Sequence, residues 1–229
     1  LNFRPTDLEF APDGSLYVVD WQNALIGHMQ HSARDPNRDH VHGRIYRVTY
    51  PSRPLVKAAN IAGASIPQLL ENLKLPEYRS RYRTRRELRG RNSEEVVKAT
   101  LKWVEALPNE ADERLKLEAL WVTWGAKQTD FGLLRKLLES SDHRIRAAAV
   151  RVLRFNMDKN PFFVNRKKML LNAANDAHGR VRMEAVVAAS FTNKKIGLEI
   201  LSAAESKEVH KQYKTTYEYT KGVLENAPA

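Results

Sequence analysis

Residues 142–153 read DHRIRAAAVRVL, and this stretch decides the fold. Ile145, Ala148, Ala149, Val152 and Leu153 fall at i, i+3, i+4, i+7 and i+8, a single apolar stripe on an α-helix. Asp142 stands where an N-cap belongs, its carboxylate placed to accept from the orphan amides of the first turn. The three alanines that follow are small enough for a neighbouring helix to approach closely. The opening recurs along the chain. Arg180-Val181-Arg182 begins a later copy, followed by Ala185, Ala188 and Ala189. Arg114-Leu115-Lys116 begins an earlier one, followed by Ala119 and Val122. Arg81-Tyr82-Arg83 is placed as the earliest, although Arg85, Arg86 and Arg89 occupy positions the stripe needs. The triplets start at Arg81, Arg114, Arg144 and Arg180, at intervals of 33, 30 and 36 residues. Recurrence in this range marks a helical solenoid, whose units bury their faces only against each other.

These copies resemble HEAT repeats, paired antiparallel helices with an apolar-Arg step early in one helix. The expected fold is mainly α: a right-handed HEAT-like α-solenoid of four or five helix pairs over residues 66–229. A short antiparallel β-meander over 1–50 and a linker over 51–65 precede it. Helices are expected over 66–74, from Pro76 through the arginine-rich run, and from Asn92, whose Glu95 completes the spacing of a capping box. Others follow over 110–125, from Asp130 to Leu138, after Asn160-Pro161, and over 180–191, 194–204 and 209–224.

The first 50 residues lack a helical period. Residues 6–10 alternate, Pro12-Asp13-Gly14 makes a turn, and residues 15–20 return as a strand. Residues 43–50 alternate again and supply a third strand. Between the second and third strands lie 22 residues, Trp21 to His42. Connections longer than about 12 to 15 residues are usually functional or disordered. This one is expected to be ordered, with Trp21, Ile26 and Met29 as apolar anchors.

The phrase Arg4-Pro5-Thr6-Asp7-Leu8-x-Phe10-x-Pro12-Asp13-Gly14-x-Leu16-Tyr17-Val18-x-Asp20, with Gly43-Arg44-Ile45-Tyr46-Arg47-Val48, resembles the final blade of a β-propeller of the sorbosone and soluble quinoprotein glucose dehydrogenase kind. With helical repeats behind it, the chain resembles the large bacterial membrane-bound dehydrogenase type proteins, in which a propeller precedes HEAT repeats. The resemblance runs from about Phe3 to about residue 205. It implies a parent protein that is periplasmic or secreted, takes a sugar or polysaccharide substrate, and holds pyrroloquinoline quinone and calcium. It also draws attention to Arg4, Asp7, Asp20 and Trp21 as cofactor-side residues at a blade end. This chain carries only one blade's worth of strands and no Cys-x-x-Cys-His, so no complete quinone site and no haem are expected in it.

Four of the seven histidines, His28, His31, His40 and His42, lie in the long connection together with Asp35 and Asp39. Two functional readings apply. Imidazole and carboxylate ligands suit zinc or another divalent metal. A neutral imidazole, or Asp35, could also take a proton during sugar or alcohol oxidation. The bland reading is a polar loop held by hydrogen bonds. His143 and His178 occupy matched places before two repeats and are read as capping or packing residues. Trp103, Trp121 and Trp124 fall on helices and are read as core.

The chain is 42% hydrophobic and 28% charged, with a net charge of +11 and no cysteine, which excludes disulfides and thiolate metal sites. No apolar run approaches the length of a membrane span. The chain enters patterned sequence at Leu1 without a signal peptide and reads as a piece of a longer protein. The densest basic run holds Arg79, Arg81, Arg83, Arg85, Arg86, Arg89 and Arg91 against Glu87 alone. It is a candidate anion-binding surface, for nucleic acid among others. Its bland reading is arginine stems lying in helix grooves with heads paired to Glu77, Glu87, Glu94 and Glu95. Phosphate-loop, serine-elbow and zinc-protease motifs are missing from the sequence. The leading expectation is a non-catalytic interaction module binding protein or polymer. A quinoprotein dehydrogenase fragment and a nucleic-acid-binding module are the alternatives.

Overall fold

The computed structural model describes residues 3–22, 35–37, 39–108, 112–156, 165–205 and 211–226. It is mainly helical, with a small antiparallel sheet at the N-terminal end. Contacts divide the chain into two units, residues 1–63 with 77–80, and residues 64–76 with 81–229.

The first unit is built on β1 (Pro5–Phe10), β2 (Leu16–Asp20) and β3 (Arg44–Val48), antiparallel in that order. Gly14 takes a φ of +84° in the turn between β1 and β2, a conformation glycine adopts without strain. The register brings Leu8, Val18 and Tyr46 side by side, and likewise Phe10, Leu16 and Val48. Strand alternation therefore gathers an apolar face, yet Leu8, Phe10 and Val48 all remain more than half exposed. What is buried here among the strands and their turn is polar, namely Ser15 and Asp20. Asp13 accepts from the Ser15 amide at 3.0 Å and its hydroxyl at 2.6 Å, and Arg47 of β3 reaches it at 2.5 Å. The Ser15 bonds first, and Arg47 with them, hold the Asp13 carboxyl below its ordinary value despite the opposing effect of burial.

Among the described residues the second unit contains α1 (Ile66–Asn72), α2 (Tyr78–Arg89), whose first turn counts with the first unit, α3 (Ser93–Glu105), α4 (Glu113–Gly125) and α5 (Phe131–Leu138). It continues through α6 (His143–Arg154), α7 (Arg166–Ala174), α8 (Gly179–Ala189), α9 (Lys194–Glu205) and α10 (Lys211–Glu225). The helix expected after Asn160-Pro161 is α7; that cap pair lies outside the described residues. Helices α4, α6, α8 and α10 pack in succession, while α7 and α9 pack on each other beside them. Ile145, Ala149, Val152 and Leu153 are buried as the stripe requires, and so are Ala147 and Val150. The buried arc is wider than the stripe because α6 is flanked by α4, α5 and α8 at once.

The repeat is visible as a ladder of caps. Glu77, Asp112, Asp142 and His178 stand immediately before α2, α4, α6 and α8. Each accepts from the amide two residues on: Arg79 at 2.7 Å, Arg114 at 2.8 Å, Arg144 at 2.8 Å and Arg180 at 3.1 Å. A second rung repeats with them. Arg81, Arg146 and Arg182 each donate one guanidinium nitrogen to the two carbonyls six and five residues back. The distances run from 2.6 to 3.0 Å. The guanidinium fork thus satisfies turn carbonyls just ahead of its own helix.

This ladder corrects the expected register in two places. The earliest copy opens at Arg79-Ser80-Arg81, two residues before the triplet chosen from the sequence. Ser80, Thr84 and Leu88 are its buried stripe, matching Ile145, Ala149 and Leu153. The two serine and threonine positions concealed that stripe from a reading keyed to apolar residues. His178 matches Asp142, while His143 is one residue inside α6, so the two histidines are not equivalent. Their rings stack all the same, 3.5 Å between centroids and 14° apart.

Candidate binding groove

The ladder makes positions on successive even-numbered helices comparable. One face of α2 carries Arg83, Arg86 and Arg89, one turn apart. The equivalent places are Glu118, Trp121 and Trp124 on α4, Ala148, Arg151 and Arg154 on α6, and Glu184, Val187 and Ser190 on α8. Across α4, α6 and α8 this face forms an open groove of about 450 Å³. Trp121 and Trp124 of α4 line one side, Ala147, Ala148 and Arg151 of α6 its middle and Glu184 of α8 the other side, with His143, Arg144, His178 and Arg180 at the end where α6 and α8 begin.

Each indole of the groove has a neighbour over one face. The Arg85 guanidinium sits over the Trp121 ring at 5.0 Å from its centroid. Trp124 stacks on Phe155 at 5.6 Å, and Phe155 meets Phe191 edge to face at 6.0 Å. Arg154, 9% exposed, lies over Phe155 and Phe191, and burial lowers its pKa against the charge of Glu184. At the end of the groove the Arg144 guanidinium and amide draw the Asp142 carboxyl down to about 2.

The arginine run divides by what each head meets. Arg81 and Arg85 both pair with Glu118, which is 1% exposed; the Arg81 contact is 2.9 Å. Arg91 pairs with Glu87 at 2.6 Å and reaches the Ala64 carbonyl, and Arg79 pairs with Glu9 inside the first unit. Arg83, Arg86 and Arg89 are exposed and have no ion-pair partner among the described residues. The run is therefore part scaffold and part open surface. Glu118, the anchor, lies outside the acidic residues considered from sequence.

The sites expected on the sheet side are placed as follows. Asp20 accepts from the amides of Arg4 at 2.6 Å and Gln22 at 2.8 Å. Burial raises its pKa, and these amides with the charge of Arg44 outweigh that and lower it overall. The Trp21 amide donates to the Arg4 carbonyl, so Arg4, Asp20 and Trp21 meet where β2 ends. Asp7 accepts from the next amide, Leu8. Oδ1 of Asp20 and Oδ1 of Asp7 thus each accept from backbone amides. Asp35 accepts from the Asn37 amide, and its carbonyl lies 3.4 Å from His40 Nε2. Asp39 is lowered by the Val41 amide foremost, then by His42, whose Nδ1 is 3.0 Å away. His28 and His31 lie outside the described residues, as do Ile26 and Met29. Among the described residues no three His, Asp or Glu side chains gather as a metal site would need.

Residues 1–52 match the model of a domain of unknown function, DUF7133. No curated protein matches the chain. One solved structure that aligns is a designed armadillo repeat protein in complex with the peptide (KR)4, at 16% identity and a TM-score of 0.29. It covers 70% of this chain and all of its own. The repeat assignment here rests on the ladder of caps and guanidinium forks. Trp103, Trp121 and Trp124, expected in the core, pack against it half-buried, and Trp121 and Trp124 also line the groove. The signal that could have found it is the Trp-x-x-Trp step of Trp121 and Trp124, at the places where the corrected first copy carries Arg86 and Arg89.

Proposed function

We propose that the helical unit is an interaction module that binds an extended protein segment along the face shared by α2, α4, α6 and α8. The observation that carries this reading is the open groove on successive repeats, lined by Arg151 and Arg180, which are exposed and without ion-pair partners among the described residues. A solenoid presents equivalent surfaces at fixed intervals, which suits an extended ligand. In this proposal the chain serves a larger, exported propeller-containing protein, as the resemblance implies, and the module recruits or docks a partner chain.

The test is a peptide array probed with the whole chain and with an Ala148→Trp variant, whose side chain would block the middle of the groove. Saturable binding of particular peptides, lost in the variant, is the expected result. Binding that survives the block overturns the reading. Turnover of an aldose by the chain with added pyrroloquinoline quinone, calcium and a dye acceptor overturns it in favour of a dehydrogenase fragment.

A further inference from the structure

Resting on that reading, we infer that the groove takes an acidic peptide segment in extended conformation. Charge complementarity is the first argument. Arg83, Arg86, Arg89, Arg151 and Arg180 are exposed on this face without ion-pair partners among the described residues, and Arg144 is exposed although paired with Asp142. The carboxylates close to them are mostly spoken for: Glu118 by Arg81 and Arg85, Glu87 by Arg91, Asp142 by Arg144. Glu184 is the looser one, 3.8 Å from Arg154. Such a field attracts carboxylates and repels a basic chain.

Shape is the second argument, and it favours a peptide over nucleic acid. Single-stranded nucleic acid binds by stacking bases on open aromatic faces between basic residues. Here Arg85 lies over Trp121 and Phe155 stacks on Trp124, so each indole already has one face occupied, which reduces the platform open to bases. At the middle of the groove, Ala147 and Ala148 leave room for a backbone to come close. From α4 to α8 there are two helix-to-helix steps of about 9 Å, together roughly the reach of five or six extended residues, and the α2 arginines adjoin them where Arg81 and Arg85 meet Glu118. The arginines are spread along that line, so side chains of alternate ligand residues would meet them in turn.

Fluorescence anisotropy on the whole chain tests this with labelled deca-glutamate, deca-lysine, a neutral Gly-Ser peptide of equal length, and oligouridylate. Deca-glutamate is expected to bind, with affinity falling as salt rises. The double variant Arg86→Glu/Arg151→Glu should weaken it by about tenfold or more, because two attractive contacts become repulsive. Circular dichroism of this variant, expected to match the wild type, checks that its helices are kept. The control pair Lys195→Glu/Lys214→Glu makes the same net change on exposed positions of α9 and α10 and should leave binding within about twofold. Equal loss in the control pair would mean diffuse attraction and overturn the inference. Oligouridylate binding as tightly, and lost in Arg86→Glu/Arg151→Glu, overturns it in favour of nucleic acid. If the array finds only neutral or basic peptides that Ala148→Trp blocks, the acidic inference fails while the interaction module stands. If no peptide of any charge depends on Ala148, both fail.

Discussion

The sheet and the helices of this chain are held by different physics. In the helical unit Leu120, Leu134, Leu137, Leu153, Leu170 and Ile200 are sealed from solvent, and the buried side chains of Thr100, Glu118, Thr123 and Asn156 are hydrogen-bonded. In the sheet the pleat gathers Leu8, Phe10 and Val48 on one face and leaves them exposed, while the buried positions go to Ser15 and Asp20. Its cross-strand order comes from the backbone ladder and from carboxylates bonded to amides and to Arg47. Hydrophobic burial is the dominant favourable term in folding, so one unit has most of the driving force and the other mainly has geometry. A three-stranded sheet needs an apolar face covered for independent stability.

The hardest blow to the helical side should come from Glu118→Ala. It would leave the Arg81 and Arg85 guanidiniums, with side chains 12% and 13% exposed, without their carboxylate. Removing one partner of a buried pair costs about 3 to 5 kcal/mol. Urea unfolding followed by helical circular dichroism reads this, and a loss under about 1 kcal/mol would show that the arginines find other partners.

Leu153→Ala against Leu8→Ala probes the comparison directly. The first side chain is fully buried and should cost about 2 to 5 kcal/mol; the second is 57% exposed and should cost about 0.5 kcal/mol or less. Hydrogen exchange adds an independent reading, with sheet amides expected to exchange faster than those of α4, α6 and α8. Equal protection in the two units would break the contrast.

The smallest effect concerns the cap of α6. With its folded pKa near 2 against an ordinary 3.8, ionised Asp142 stabilises the fold at every pH above about 4. That contribution is lost as pH falls through the folded value. Asn caps a helix as well as Asp but does not titrate. Wild type and Asp142→Asn should therefore differ most above pH 4 and converge towards pH 2. A gap that stays constant through that window would show that the charge on Asp142 contributes nothing.

Much of the architecture was legible in the order of residues. Ile145, Ala149, Val152 and Leu153 specify a helix because a 3.6-residue period leaves one face apolar, and the structure buries that face. Asp130 and Asp142 announce their helix starts because a short carboxylate reaches only nearby amides, and both make those bonds. The Asp13-Gly14 turn was visible because positive φ selects glycine. These are local effects, complete within a few residues, so sequence by itself determines them. What an arginine does is different. Arg81 and Arg85 are scaffold, and Arg83, Arg86 and Arg89 are open surface, although all five stand in one run. Their roles depend on where Glu118, more than 30 residues away, is brought by α4. The groove likewise needs Trp121, Ala148 and Glu184 set side by side from three helices. Only tertiary packing decides such pairings, because a long charged side chain has no fixed partner until helix register places one within reach.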